Sequence, residues 1–321
     1  MTFLEIALGL VLLVAGGDFL VRGSVGLAKR LGMSELLIGL VLVGFGTSTP
    51  ELMTSILAAL NGSAGIAVGN VAGSNIANIL LIIGLAAVIF PLKVEPAALL
   101  RDGPANMLAA LAFAGLALSG LIGPLAGLAL MLGLAAYLVV TYSMEKGRHT
   151  PSAELHRGEA DLVTPRPKGS KLALNLAATL GGLVMILGGA HFLVSGAVSL
   201  ATAAGVSDTV IGLTVVAVGT SLPELVTSVI AALKRQTNIA LGNILGSNLF
   251  NILGILGVTA LITPLPIPAE IMQVDIWVML SATAILLVFA MTGRRICRRE
   301  GAMMLLAYAG YTTAIVVNAL G

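Results

Sequence analysis

The chain has 321 residues with a net charge of +2; 58% are hydrophobic, only 10% are charged, and the mean hydropathy is +1.05. Soluble domains carry about 25% charged residues, so this composition excludes a water-soluble protein and gives no basis for a nucleic-acid partner. The single cysteine, Cys297, excludes an internal disulfide. We therefore predict that the lipid bilayer is the solvent and the main surrounding partner of this chain.

Long apolar runs predict that the chain crosses the bilayer as helices, because about 20 residues are needed to span ~30 Å. Strands of a membrane barrel would instead show shorter segments of alternating polarity. We predict an all-α membrane protein with ten transmembrane helices, multi-pass in the plasma (inner) membrane and without a cleavable signal. In chain order the predicted spans are 3–21, 35–60, 64–90, 104–119, 122–143, 172–196, 208–233, 237–262, 275–291 and 302–320.

The basic residues predict the orientation. With ten spans, all 17 Lys and Arg fall on one side of the membrane, which we call the basic side. Cytoplasmic loops accumulate Lys and Arg, so both termini are expected to be extracellular. The basic clusters are Arg22, Lys29 and Arg30; Lys93 and Arg101; six residues between 146 and 171; Lys234 and Arg235; and Arg294, Arg295, Arg298 and Arg299.

The sequence is an internal duplication. Shifted by 173 positions, residues 38–92 match 211–265 at 31 of 55 positions without a gap. Each half has five predicted spans, and an odd number inserts the second half upside down, as in secondary transporters built from inverted repeats. We predict a first repeat at 1–143, a cytoplasmic linker at 144–171 and a second repeat at 172–321.

Two ionisable residues deep in the predicted spans, Glu51 and Glu224, are equivalent in the duplication. A charge at the bilayer centre costs about 2.5–3.5 kcal/mol or more and marks a functional site. Thr47 lies one turn before Glu51 on the same helix face. Pro50 has no N–H, so the carbonyl of Gly46 is expected to lose its helical partner. The second copy repeats these features with Thr220, Ser221, Pro223 and Glu224.

The following span of each half adds further oxygen ligands. These are Asn70, Ser74, Asn75 and Asn78 in the first copy, and Asn243, Ser247, Asn248 and Asn251 in the second. Oxygen ligands without Cys or His favour hard cations, and Ca²⁺ takes 6–8 of them in flexible geometry, whereas Mg²⁺ demands a tight octahedron. Two carboxylates compensate one Ca²⁺ or two Na⁺, which gives exchange of these ions a physical basis. We expect the motif glycines Gly69, Gly73, Gly242 and Gly246 to serve close helix packing, and Asp18 and His191 to make polar contacts at helix ends.

The motifs GTSTPEL with GNVAGSNIAN, and GTSLPEL with GNILGSNLFN, resemble the paired alpha repeats of the sodium/calcium exchanger branch of the cation/calcium exchanger superfamily. The short linker is similar to that of prokaryotic members. The resemblance implies alternating access, in which helices 2, 3, 7 and 8 form a core and helices 1 and 6 slide across it. It implies a calcium and sodium site made of Thr47, Ser48, Glu51, Ser74, Asn78, Thr220, Ser221, Glu224, Ser247 and Asn251, with backbone oxygens near Gly44 and Ala217.

Several relatives carry Asp where this chain has Asn251, and that acid is tied to potassium dependence in one branch. We therefore expect potassium-independent exchange. We also expect a transporter that functions as a monomer, with no cofactor and no enzyme activity.

Three other functions compete with this interpretation. A proton/calcium antiporter of the same fold would protonate Glu51 and Glu224 in place of binding sodium, although the Ser-rich GTS-PE turn favours sodium. A passive channel could use the same oxygens, but an inverted duplication is better matched to alternating access. An intramembrane enzyme is disfavoured, since no Cys lies near a base and no His lies near either Glu along the chain.

Overall fold

The computed structural model describes residues 2–31, 33–146, 172–203 and 217–320, and it confirms an all-helical, multi-span architecture. The helices are α1 (Thr2–Leu31), α2 (Gly39–Thr47, after one turn at Glu35–Ile38), α3 (Thr49–Leu60), α4 (Ala64–Ile89), α5 (Pro96–Leu118), α6 (Pro124–Lys146), α7 (Leu172–Ala203), α8 (Ala217–Thr220), α9 (Leu222–Leu233), α10 (Thr237–Ile262), α11 (Ile271–Met291) and α12 (Arg298–Leu320).

Six of the described helices are long and apolar enough to cross a membrane, and α2 with α3 forms a seventh candidate span that bends by 45° at one break. The predicted total of ten stays a prediction. Residues 204–216, which include the start of the predicted seventh span, lie outside the described part. So does 147–171, which is most of the predicted linker, and α6 extends to Lys146.

Helices continue beyond the apolar runs that predicted them. Helix α1 ends at Leu31 instead of residue 21, and it carries Lys29 and Arg30 in its last turn. Helix α5 begins at Pro96, well before the predicted residue 104. Inside it, Arg101 Nε lies 2.6 Å from Asp102 Oδ1, so two buried charges compensate each other within the helix. A charge therefore ends an apolar run without ending the helix.

The core of the molecule is built around α4 and α10. Their most apolar stretches are 72% and 83% buried, against 33% for α1 and 22% for α7. The backbones of α2 and α10 are in contact at Gly246. A side chain at this position would clash with the Leu40 carbonyl, so only glycine allows this contact. Close packing is thus confirmed for Gly246. For Gly73 it stays a prediction, because Leu213, the equivalent of Leu40, lies outside the described residues.

Helices α1 and α7 form a second, smaller packing unit. Glycines spaced seven residues apart let the two backbones touch: a Cβ at Gly16 would lie 2.8 Å from the Gly182 carbonyl oxygen, and one at Gly9 would lie 2.8 Å from that of Gly189. Leu13, Leu20, Ile186 and Ala190 of this unit form a hydrophobic cluster with Val43 of α2, separate from the large core.

Two short antiparallel strand pairs join the halves crosswise. Strand β1 (Leu92–Lys93) pairs with β4 (Arg295–Ile296), and β2 (Leu121–Ile122) pairs with β3 (Leu265–Pro266). Strands β1 and β3 are equivalent in the duplication, so each pair joins a strand of the first half to a strand of the second, as expected for the predicted inverted repeats. The first pair joins two loops of the basic side, and the second joins two loops predicted on the opposite side.

Candidate ion-binding site

The site begins at the break between α2 and α3. Ser48 separates the two helices, and Pro50 occupies the first turn of α3, where its missing N–H costs no helical hydrogen bond. The carbonyl of Gly46, predicted to lose its helical N–H partner, accepts a hydrogen bond from the Thr49 hydroxyl at 2.8 Å. The second copy breaks in the same way at Ser221, between α8 and α9.

Each break brings a glutamate into the centre of the molecule. Glu51 and Glu224 lie in the first turns of α3 and α9, and both are 1% exposed. Their hydrogen bonds cross between the halves: Ser48 Oγ donates to Glu224 Oε1 at 2.8 Å, and Ser221 Oγ donates to Glu51 Oε1 at 3.4 Å. The duplicated motifs therefore meet in one shared site.

The other carboxylate oxygen of each glutamate, Oε2, is buried without a hydrogen-bond partner in the described part of the chain. The ion pairs found there involve neither glutamate. The Oδ1 atom of Asn78 and the whole side-chain amide of Asn251 are likewise unpartnered within these residues. Burying an ionised carboxylate without compensation costs several kcal/mol, so this arrangement is suited to binding a cation or a proton.

Hydroxyl groups of α2 and α10 extend the site. The Gly44 carbonyl accepts from Ser247 Oγ at 3.0 Å and lies 3.2 Å from Thr47 Oγ1. Ser247 Oγ is also 3.5 Å from Glu224 Oε1. Thr47 Oγ1 lies 3.1 Å from Asn243 Oδ1. These contacts connect Thr47, Ser247 and the Gly44 backbone to Glu224.

The remaining predicted ligands differ in how they are placed. Asn78 on α4 donates to Asn248 Oδ1 on α10 at 3.0 Å. Ser74 and Asn251 are buried on the same helices, but no hydrogen bond joins them to this network among the described residues. Thr220 ends α8 beside Ser221, and Ala217 begins α8 directly after the undescribed segment 204–216.

Two serines that the sequence did not single out hold the glutamate helices in place. Asn70 Nδ2 donates to the Glu51 backbone carbonyl at 3.2 Å and to Ser55 Oγ at 3.0 Å. The second copy has the same bonds, from Asn243 Nδ2 to the Glu224 carbonyl at 3.2 Å and to Ser228 Oγ at 2.9 Å. We call these two sets the asparagine clamps. The signal was a serine four residues after each glutamate, in both copies of the motif.

Clusters of His, Cys, Asp or Glu side chains are a common way to bind a metal ion. No group of three or more His, Cys, Asp or Glu side chains comes together within the described ranges. The site therefore has two carboxylates supplemented by hydroxyl, amide and carbonyl oxygens. That donor set suits Na⁺ and Ca²⁺.

The family model described as sodium/calcium exchanger protein matches residues 1–143 and 174–317. The chain belongs to the sodium/calcium exchanger family. This confirms the family resemblance of the two motif pairs and places the chain among transporters, not enzymes.

Two relatives and one solved exchanger illustrate the similarity. The sodium/calcium exchanger MaX1 of Methanosarcina acetivorans is 37% identical over 343 residues, which cover 98% of each chain. The inner membrane protein YrbG of Escherichia coli is 34% identical over 257 residues, 80% of this chain and 78% of YrbG. The sodium-calcium exchanger NCX_Mj, solved after soaking with Na⁺ and Ca²⁺, superposes with a TM-score of 0.82 at 32% identity, covering 96% of each chain.

These similarities run along nearly the whole exchanger, so both halves of the duplication are matched. They confirm a multi-pass membrane protein with the fold of NCX_Mj. The identities of the ion ligands stay a prediction of the sequence.

Proposed function

We propose that this chain exchanges sodium for calcium by alternating access, at a site centred on Glu51 and Glu224. The supporting observation is the pair of buried, unpartnered Oε2 atoms among the described residues. The proposed ligands are Thr47, Ser48, Glu51, Ser74, Asn78, Thr220, Ser221, Glu224, Ser247 and Asn251, with backbone oxygens near Gly44 and Ala217.

The charges of this site favour the exchange of these two ions. Two carboxylates carry two negative charges, which one Ca²⁺ or two Na⁺ neutralise in a region where uncompensated charge is costly. Ser48 and Ser221 hold one oxygen of each carboxylate, so the other oxygen can bind a cation. MaX1 and NCX_Mj, both described as sodium/calcium exchangers, support the same pair of ions.

The proposed architecture is ten spans in two inverted repeats, with both termini extracellular and the linker in the cytoplasm. The crossed strand pairs support it, because each pair joins loops that this topology puts on the same side. One chain supplies both glutamates and both serines, so a monomer contains the complete site. Asn251 adds no charge, which supports exchange without potassium.

Sodium-driven calcium uptake tests this proposal. The purified protein is reconstituted in liposomes loaded with sodium, and uptake of radioactive calcium is followed after dilution into a sodium-free medium. Uptake should require internal sodium and be unchanged when potassium is replaced by choline. Uptake driven by a pH gradient alone would replace the proposal with a proton/calcium antiporter, and uptake without any counter-ion gradient would indicate a channel.

A further inference from the structure

The two halves of the site are not covered equally. Helix α1 lies against α9, where a Cβ at Gly17 would sit 3.3 Å from Val226 Cγ1 and would clash with Ile230. The equivalent residues on α3 are Met53 and Leu57, which are 51% and 52% exposed. The structure is therefore closed over α9 and open over α3, although the two sequences are nearly identical.

The buried threonine of α9 shows the same asymmetry. Thr227 lies on α9 between the contacted residues Val226 and Ile230; it is 0% exposed, and its hydroxyl has no partner among the described residues. Its equivalent on α3, Thr54, is only half-buried. Position 227 thus reports whether α1 covers α9.

An ion pair closes the edge of this contact. Lys234, at the end of α9, forms a hydrogen-bonded ion pair with the Asp18 carboxylate of α1, and its Nζ lies 3.4 Å from the Asp18 carbonyl oxygen. Both residues lie at the basic side. The equivalent positions in the other half are His191 and Asn61. Because Asn61 carries no charge, the duplication cannot form this ion pair on the opposite side.

The helix that carries Asp18 belongs to the small α1–α7 packing unit, which has a hydrophobic cluster separate from the core. Lys234 lies on the turn that leads from α9 into α10, shortly after Ala231 and Ala232, which belong to the large core. The ion pair therefore links the α1–α7 unit to the end of α9, the helix that carries Glu224. We propose that Asp18 and Lys234 form a one-sided latch, which holds α1 against α9 and sets the preference of the exchanger for the conformation closed on the basic side.

This inference rests on the proposed alternating access and identifies Asp18 and Lys234 as positioning residues for it. The two side chains are 34% and 26% exposed, and ion pairs that water reaches contribute little to stability. Such a latch can open in each cycle. Its loss should shift the ratio of the two conformations by about two- to fivefold, without abolishing transport.

A cysteine at position 227, in a Cys297→Ser background, measures the effect of the latch. The label is a water-soluble maleimide applied to everted membrane vesicles, which expose the basic side. Lys234→Gln should raise the labelling rate by about two- to fivefold, and Lys234→Arg should restore it. The matched control is Arg22→Gln, because Arg22 Nε lies 2.8 Å from the same Asp18 carboxylate but within α1.

An unchanged labelling rate in Lys234→Gln, or an equal rise in Arg22→Gln, would overturn the latch. If the Thr227→Cys protein does not fold, Ile230→Cys on the same face gives the same measurement. Sodium-driven calcium uptake by the same variants separates the two proposals. Absent uptake in the Cys297→Ser background contradicts the proposed exchange, whereas normal uptake with unchanged labelling contradicts only the latch.

Discussion

At the level of single residues, each glutamate of the site is expected to be indispensable. Glu51→Gln or Glu224→Gln leaves one carboxylate for a divalent ion, and removing one partner of a buried charge pair costs about 3–5 kcal/mol. Calcium uptake should fall by at least about 100-fold, a factor of 10 for each ~1.4 kcal/mol. The control is Glu270→Gln, at an exposed position. Near-normal uptake by either buried variant would contradict the central role of the pair.

Asn251 provides a second test at this scale. Its amide is buried and unpartnered within the described ranges, and Asn251→Asp would add a third carboxylate to a site of low dielectric constant. Like charges repel strongly there, so the variant should need a proton or another monovalent cation to function. Calcium uptake by the variant should therefore vary between pH 6 and 9 and depend on potassium. Calcium uptake by the parent protein should be the same with and without potassium. An identical pH profile in both would place this side chain outside the ion site.

The glutamates could be predicted from the sequence because each is a rare charge in an apolar span and appears twice. Ser55 and Ser228 could not, since a serine in a membrane helix commonly bonds to its own backbone. Only the fold shows that Asn70 and Asn243 reach them from the next helix. The new partner of the Gly46 carbonyl could not be predicted for a similar reason: Pro50 lacks the helical donor, and the hydroxyl of the neighbouring Thr49 supplies another.

At the level of elements, the asparagine clamps should set ion affinity. Ser55→Ala removes one of the two acceptors of Asn70 and should leave α3 less firmly held against α4. A lost buried hydrogen bond costs about 1 kcal/mol, so we expect the KM for calcium to rise about fivefold with a smaller change in kcat. Ser228→Ala should behave alike, since its bond has the same geometry. The control is Ser119→Ala, at an exposed helix end.

If both clamp variants lost kcat and kept the KM of the parent protein, the clamps would act on the conformational change instead. That outcome would contradict a role in positioning the glutamates. Measuring uptake over a range of calcium concentrations distinguishes the two.

Two adjacent glycines of α7 test the packing of the α1–α7 unit. A Cβ at Gly182 would lie 2.7 Å from the Gly16 carbonyl, whereas one at Gly181 would meet no described residue within 4 Å. Gly182→Ala should lower the free energy of unfolding by roughly 1–3 kcal/mol. Gly181→Ala should be neutral or stabilising by about 0.5–1 kcal/mol, because alanine favours a helix. Thermal unfolding in detergent compares them, and equal stability of the two variants would show that the backbones do not touch.

The bend at Pro50 was predictable because proline acts locally. The π-helical turns Asn78–Ile83 and Phe250–Ile255 were not, although they occupy nearly equivalent places in the two halves. A π-helical turn contains one extra residue. No single residue type in the sequence predicts where such a turn occurs. Similarly, hydropathy could not predict that α5 begins before Arg101 and Asp102. The two charges form an ion pair inside the helix, whereas hydropathy counts each of them as polar.

At the level of the whole molecule, the orientation can be tested with two described positions. Asn61 is exposed in the turn between α3 and α4, and Lys93 is exposed in β1. In a Cys297→Ser background, Asn61→Cys should react with an impermeant thiol reagent added to intact cells. Lys93→Cys should react only after the membrane is made permeable. The reverse pattern would show that the basic side faces outward.

The crossed strand pairs also set an order in time for making the protein. Strand β4 is synthesised about 200 residues after β1, a delay of roughly 10–40 s at ~5–20 residues per second. Glu51 is likewise made 170 residues before Ser221, which will donate to it. The first half of the ion site therefore stays incomplete until the second half of the chain has been synthesised.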